Sequence, residues 1–118
     1  MEAEKHINKR SLKERLDGNY DLFRELAEMF IANSAELLSS LEKAIRERDA
    51  AAIGKAAHTI KGAVANFSAD GAFAAAYEIE KIGKSGELNS VDTAMESLVN
   101  ELKGMTRALN HLLEKKGF

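Results

Sequence analysis

One histidine in this chain stands where packing does not call for it. Around it, in the run Ile53-Gly54-Lys55-Ala56-Ala57-His58-Thr59-Ile60-Lys61-Gly62-Ala63-Val64-Ala65, apolar residues recur every three or four positions, the period of a helix with one buried face. At ~100° per residue, Ile53, Ala57, Ile60, Val64 and Phe67 gather within roughly 40° of one direction, whereas His58 points about 140° away from it. The neighbours on that face are small, Gly54, Gly62 and Ala65, and Lys55 and Lys61 flank the ring about 60° to either side. A lone exposed histidine is ordinarily a surface polar group and nothing more. Yet an interior glycine costs a helix ~1 kcal/mol relative to alanine. Two of them, one turn before and one turn after a histidine, therefore indicate a surface cleared so that another body can approach the ring.

Imidazole has an ordinary pKa of ~6.5, so near pH 7 it offers a nucleophilic nitrogen that can attack, accept a group and release it. A phosphoryl group placed on His58 would lie within reach of the Lys61 ammonium one turn along, which would neutralise part of its charge. Little else for catalysis is visible. No acid is close to His58 in sequence, no glycine-rich nucleotide loop is present, and no run of carboxylates suits magnesium. A partner would have to supply those groups.

The elements that position this histidine are helical. The chain has 118 residues, no proline and no cysteine, and proline is the residue that helix interiors exclude most strongly. A short helical turn is expected over residues 11–16, ended by Asp17-Gly18. A long helix follows from 19 or 20 to about 48, on Leu22, Leu26, Phe30, Leu37, Leu41 and Ile45, with the polar pair Asn33-Ser34 marking a candidate bend. The histidine helix spans 49–67. A fourth runs from 71 to 82 on Ala72, Ala75, Ile79 and Ile82, stopping in Gly83-Lys84-Ser85-Gly86. Ser90 caps the last, whose apolar positions Val91, Met95, Leu98, Leu102, Met105, Leu109 and Leu112 alternate spacings of four and three. Short connections force sequential helices side by side, so the expected fold is all-α: an antiparallel up-down-up-down four-helix bundle with a short additional N-terminal helix, one domain over 1–118 with its core at about 19–114.

Composition removes whole classes of function. Seventeen Lys plus Arg against nineteen Asp plus Glu give a formal net charge of −2, too little positive field to hold nucleic acid by its phosphates. Absence of cysteine excludes disulfides, thiolate zinc, iron–sulfur clusters and thiol nucleophiles. The mildly apolar stretch 62–77 is too short to span a bilayer and contains Asp70. The first six residues lack the apolar segment of a signal peptide, so a cytoplasmic protein without membrane attachment is expected. A di-iron bundle needs Glu-x-x-His pairs, and the residues three before His6, His58 and His111 are Ala3, Lys55 and Ala108.

With these residues in view, His58-Thr59-Ile60-Lys61-Gly62-Ala63 followed by Asn66-Phe67-Ser68-Ala69 resembles the histidine-containing phosphotransfer (HPt) domain of multistep two-component phosphorelays. Upstream, 30–41 and the Arg48-Asp49 turn look like that family's entry to the histidine helix. Downstream, Ile79-Glu80-Lys81-Ile82-Gly83-Lys84-Ser85-Gly86 looks like its leucine-glutamate pair and small-basic segment. The likeness covers roughly 20–113. It departs at Ser68, where the family commonly has Gly, and at Ile79, where it commonly has Leu.

The resemblance implies that His58 accepts a phosphoryl group from a receiver-domain aspartyl phosphate and passes it to another receiver aspartate. Lys61 would stabilise the phosphoryl charge, and Gly62 would be the side-chain-free window through which the receiver docks. Lys55, Gly54, Ala65 and Asn66 complete the expected docking face, Asn66 either bonding the partner or merely ending its helix. Such a domain is a carrier without kinase activity of its own. It needs no intrinsic cofactor, the receiver bringing magnesium, and its partners are response-regulator receivers and a hybrid histidine kinase. A monomer is expected. The alternative is a non-catalytic helical interaction or oligomerisation module, motivated by the regular seam from Val91 to Leu112. His6 is expected at the surface, His111 near a helix end where a cation suits the dipole, and the Met and Phe residues, Met29 and Phe73 among them, in the core.

Overall fold

The computed structural model describes residues 6–118, and the first five residues of the polar N-terminal segment, Ala3 among them, lie outside the described residues. Five helices follow one another: α1 (Lys9–Arg15), α2 (Tyr20–Arg46), α3 (Ala50–Ala65), α4 (Asp70–Ser85) and α5 (Val91–Lys115), with no strand among the described residues. Side chains cap three of them at the start. Asn8, Asn19 and Asp49 each accept a hydrogen bond from the backbone N–H three residues on, satisfying donors that a helix N-terminus leaves free. Ser90 stands at the corresponding position of α5, but its side chain makes no such bond. The helix starts there without the cap expected of it.

Each long helix packs on the next in sequence, and α5 closes back on α2. The 42 Å long dimension of the molecule is that of α2, whose 27 residues span about 40 Å at 1.5 Å per residue. A single cluster of apolar side chains fills the interior, from Ile7 and Leu12 through Phe23, Ile53, Ile60 and Ile79 to Leu98 and Leu112. The α5 seam faces inward: Val91, Leu98, Leu102, Met105, Leu109 and Leu112 are buried, and Met95 is half-buried. Intramolecular packing thus consumes the seam that motivated an oligomerising module.

Several expectations need correction. At its N-terminal end the core stripe of α2 is shifted by one residue: Phe23 and Ala27 are buried with Phe30, while Leu22 and Met29 face solvent. At Asn33-Ser34, the candidate bend, α2 is unbroken, and Ser34 turns its hydroxyl back onto the Ile31 carbonyl at 3.0 Å. Phe73 is exposed. His6 is not a surface residue: its side chain is 10% exposed, packs on Gly104 and lies 3.3 Å from Glu101, in room that a side chain at position 104 would fill.

The extent of α4 also differs, and the reason concerns the histidine. The helix does not stop at 82 but runs through Gly83-Lys84-Ser85 and closes on a left-handed Gly86 at φ 76°. Gly83 is held inside the helix by α3. A Cβ built on it would stand 2.6 Å from the Gly54 nitrogen and 2.9 Å from the Ala50 carbonyl oxygen, both backbone. Only glycine at 83 lets the two helices meet so closely. Gly54 on the facing side is less constrained, since a Cβ there would meet α4 backbone at 3.8 Å, an ordinary contact.

Accordingly Gly83→Val should force α3 and α4 apart and destabilise the fold by ~1–3 kcal/mol, whereas Gly54→Ala should be neutral or stabilising because alanine is the better helix former. Thermal unfolding followed by circular dichroism checks the contrast. Equal effects of the two substitutions would contradict this account of the helix contact.

Candidate functional site

The close approach of Gly54 and Gly83 fixes what lies one turn away on each helix. On α3, His58 follows Gly54 by four residues, and on α4, Glu80 precedes Gly83 by three. The two side chains meet. His58 Nδ1 lies 2.9 Å from Glu80 Oε2, Lys61 Nζ lies 2.7 Å from Oε1, and Lys84, one turn beyond Glu80, places its ammonium 3.2 Å from Oε2. Among the described residues Oε1 has no hydrogen-bond partner of regular geometry, and Lys61 meets it as an ion pair.

The carboxylate at the centre of this cluster is 3% exposed, and a carboxylate buried without counter-charge would be strongly disfavoured. Here the Lys61 ammonium beside it, opposed by burial and reinforced by His58 and Lys84, holds the Glu80 carboxyl at about 2, against an ordinary 4.5. Glu80 is therefore ionised at neutral pH and can only accept hydrogen bonds. The proton in the 2.9 Å contact belongs to His58, whose Nδ1–H donates to Oε2. A neutral ring in that tautomer carries its lone pair on Nε2. With the side chain 67% exposed, the ring is open to a partner, and a groove of about 370 Å³ floored by Gly54 and Gly83 runs beside it with Lys55 and Lys84 on its rim.

The other expected site residues are distributed along α3. Lys55 is exposed. Gly62 is exposed, and nothing stands within 4 Å of where its Cβ would be, so its surroundings are open. Gly54 is half-buried against α4, where a Cβ would still fit, and lines the groove beside His58. Ala65 and Asn66 lie seven and eight residues beyond His58, about 10 to 12 Å along the axis at 1.5 Å per residue, Asn66 as the C-cap of α3. There it lines a separate crevice of about 420 Å³ between α2 and α3, together with Leu26, Met29, Phe30 and Phe67. That crevice shares no residue with the groove at His58.

Reading along the chain misses the acid at the centre. Glu80 is 22 residues from His58 and enters the sequence reading only within the quoted likeness, with no role. A signal was nevertheless present, because Glu80 falls on the buried stripe of α4 with Ala72, Ala76, Ile79 and Gly83. A carboxylate on a core stripe demands a cation, and Lys61 and Lys84 supply it. Among the described residues no group of three or more acidic, His or Cys side chains could hold a metal ion.

Comparison with known proteins gives the family and the fold. The sequence matches the family model of the Hpt domain over residues 25–114. The fold is similar to the crystal structure of histidine-containing phosphotransfer protein B from Pseudomonas aeruginosa PAO1, with a TM-score of 0.86 and 25% identity over 93% of this chain and 96% of that one. No curated protein matches the chain.

The lowered Glu80 value has a consequence for stability. A carboxyl depressed on folding contributes stability that is fully present above its ordinary value of 4.5 and is lost as pH falls toward about 2. Chemical unfolding measured at intervals between pH 6 and pH 2 should show native protein and Glu80→Gln converging through that window, the native protein being the more stable above it. A difference that does not change with pH would contradict the ionised, triply paired carboxylate.

Proposed function

Given that this chain belongs to the Hpt-domain family, whose members carry phosphoryl groups in phosphorelays and are not kinases, we propose that His58 takes its phosphoryl group from the aspartyl phosphate of a receiver domain and gives it to the aspartate of another. The observation that carries this reading is the 2.9 Å contact between His58 Nδ1 and an ionised, buried Glu80. It leaves Nε2 as the nucleophile.

In the forward step the Nε2 lone pair attacks phosphorus, an N–P bond forms, and the P–O bond to the receiver's aspartate breaks, with the electron pair leaving on the carboxylate. The ring then carries positive charge, which Glu80 opposes across the Nδ1–H bond. With the ring neutral, two ammoniums against one carboxylate leave the cluster with a charge of +1, favourable to an incoming phosphoryl dianion. Phosphoryl transfer passes through a loose transition state that chiefly needs positioning and charge compensation. The carrier contributes a nucleophile of fixed direction; the receiver contributes the magnesium ion and the remaining catalytic groups. Return of the group to a second receiver is the same step reversed.

Docking requires the receiver to come within bonding distance of Nε2, and the open position at Gly62 suits that approach. Lys55, exposed on the rim, offers positive charge to an acidic active-site edge. No helix among the described residues is long and apolar enough to cross a membrane, and we read the protein as acting in the cytoplasm.

Incubation with a phosphorylated receiver and magnesium should add one acid-labile phosphoryl group, detected by intact mass and mapped to His58, and His58→Gln should abolish it with helicity unchanged. Labelling that persists in His58→Gln would falsify the assignment of the site. Gly62→Glu should leave the fold intact, because the position is open, yet lower the transfer rate by at least tenfold through exclusion and repulsion of the partner. Transfer at the native rate in that variant would refute the docking window.

A further inference from the structure

Among the described residues, large apolar side chains stand exposed at Leu22, Met29, Phe73 and Tyr77, and the last two share a face of α4 with the site. Tyr77 precedes Glu80 by three residues and Phe73 precedes it by seven, a little under one turn and about two turns respectively. Neither ring belongs to the core. Both are close to Lys61, whose Nζ lies 4.9 Å from the Tyr77 ring centroid and 5.9 Å from that of Phe73, while the same ammonium stands 2.7 Å from Glu80 Oε1.

A lysine on a helix surface is a poor positioning device alone. It loses rotamer freedom when held, and its ion pair with the buried Glu80 has to offset that cost. The aromatic rings add a second restraint, since their faces attract an ammonium; the Lys61 side chain is only 20% exposed. The Tyr77 ring is itself tied to its helix. Lys81 lies 5.0 Å from its centroid and pairs with Glu78 at 3.2 Å. The terminal torsion of a glutamate is broad, so fixing Oε1 also sets the direction in which Oε2 points. Oε2 is the atom that orients His58.

We propose that Tyr77 is a positioning residue for phosphoryl transfer: its ring, with Phe73 beside it, keeps the Lys61 ammonium on Glu80 Oε1 and thereby keeps Oε2 on His58 Nδ1–H. This inference rests on the carrier reading of His58 and deepens it. Lys61 acts first through Glu80 and not as a free side chain awaiting the phosphoryl group, and the aromatic pair is what detains it.

The test compares Tyr77→Ala and Tyr77→Phe, each alone and in a Lys61→Met background, with circular dichroism to verify the fold. Two quantities are read: the 15N shifts of the His58 ring nitrogens at a pH where the ring is neutral, which report the tautomer, and the rate of phosphoryl acceptance from a phosphorylated receiver. Tyr77→Ala should shift population toward the Nε2–H tautomer and slow acceptance about two- to fivefold, the range a partly exposed cation–π contact supports. Tyr77→Phe, which retains the ring, should match the native protein. With Lys61→Met, Tyr77→Ala should change neither quantity. Native ring-nitrogen shifts in Tyr77→Ala, an equal loss in Tyr77→Phe, or an undiminished effect in the Lys61→Met background would each overturn the inference. The tautomer is read without any phosphoryl donor. A chain that accepts no phosphoryl group at all would therefore contradict the carrier reading, while this inference would still be decided by the ring-nitrogen shifts.

Discussion

A carboxylate held between two helices, away from water, is the interaction on which this site depends. Glu80 can occupy that place only because three cationic or proton-donating groups converge on its two oxygens. They converge only because α3 and α4 approach to backbone contact at Gly54 and Gly83. If the helices stood further apart, the ring would lose its partner and the carboxylate its counter-charge together. A backbone-to-backbone packing contact and a polarised cluster are thus one turn apart, the second depending on the first.

The arrangement divides the labour of phosphoryl transfer in a simple way. A histidine fixed on a helix, with one nitrogen occupied and the other exposed, presents a nucleophile whose direction does not have to be found anew in each encounter. The ring is two-thirds exposed, and the groove beside it is open. A surface so bare suits a group that must be taken from one partner and surrendered to another. Burying the phosphoryl group would oppose its release.

Much of this was legible in the sequence, and the parts that were not share a physical cause. The helices were readable because apolar spacing is local, and His58 stood out because it lies opposite the stripe of its own helix. Gly62 is open as expected. Gly54 was read as a cleared surface of the same kind, yet what it admits is α4. That is a tertiary fact no helical wheel contains. For the same reason α4 outran its expected end: Gly83 reads as a helix stop, and only the contact with Gly54 makes it an interior residue. Glu80 was overlooked because its partners lie on another helix, although its place on the stripe of Ala76 and Ile79 made it anomalous. His6 eluded the reading because the space it fills is made by Gly104, almost a hundred residues away.

The claim on which the account turns is that Glu80 reserves Nδ1 of His58 and leaves Nε2 to react. It is tested most directly by phosphorylating 15N-histidine-labelled protein through a receiver domain and determining, from 31P–15N couplings, which ring nitrogen bears phosphorus. The account predicts phosphorus on Nε2 of His58, with the proton retained on Nδ1. Phosphorus on Nδ1, or on another residue, would contradict it.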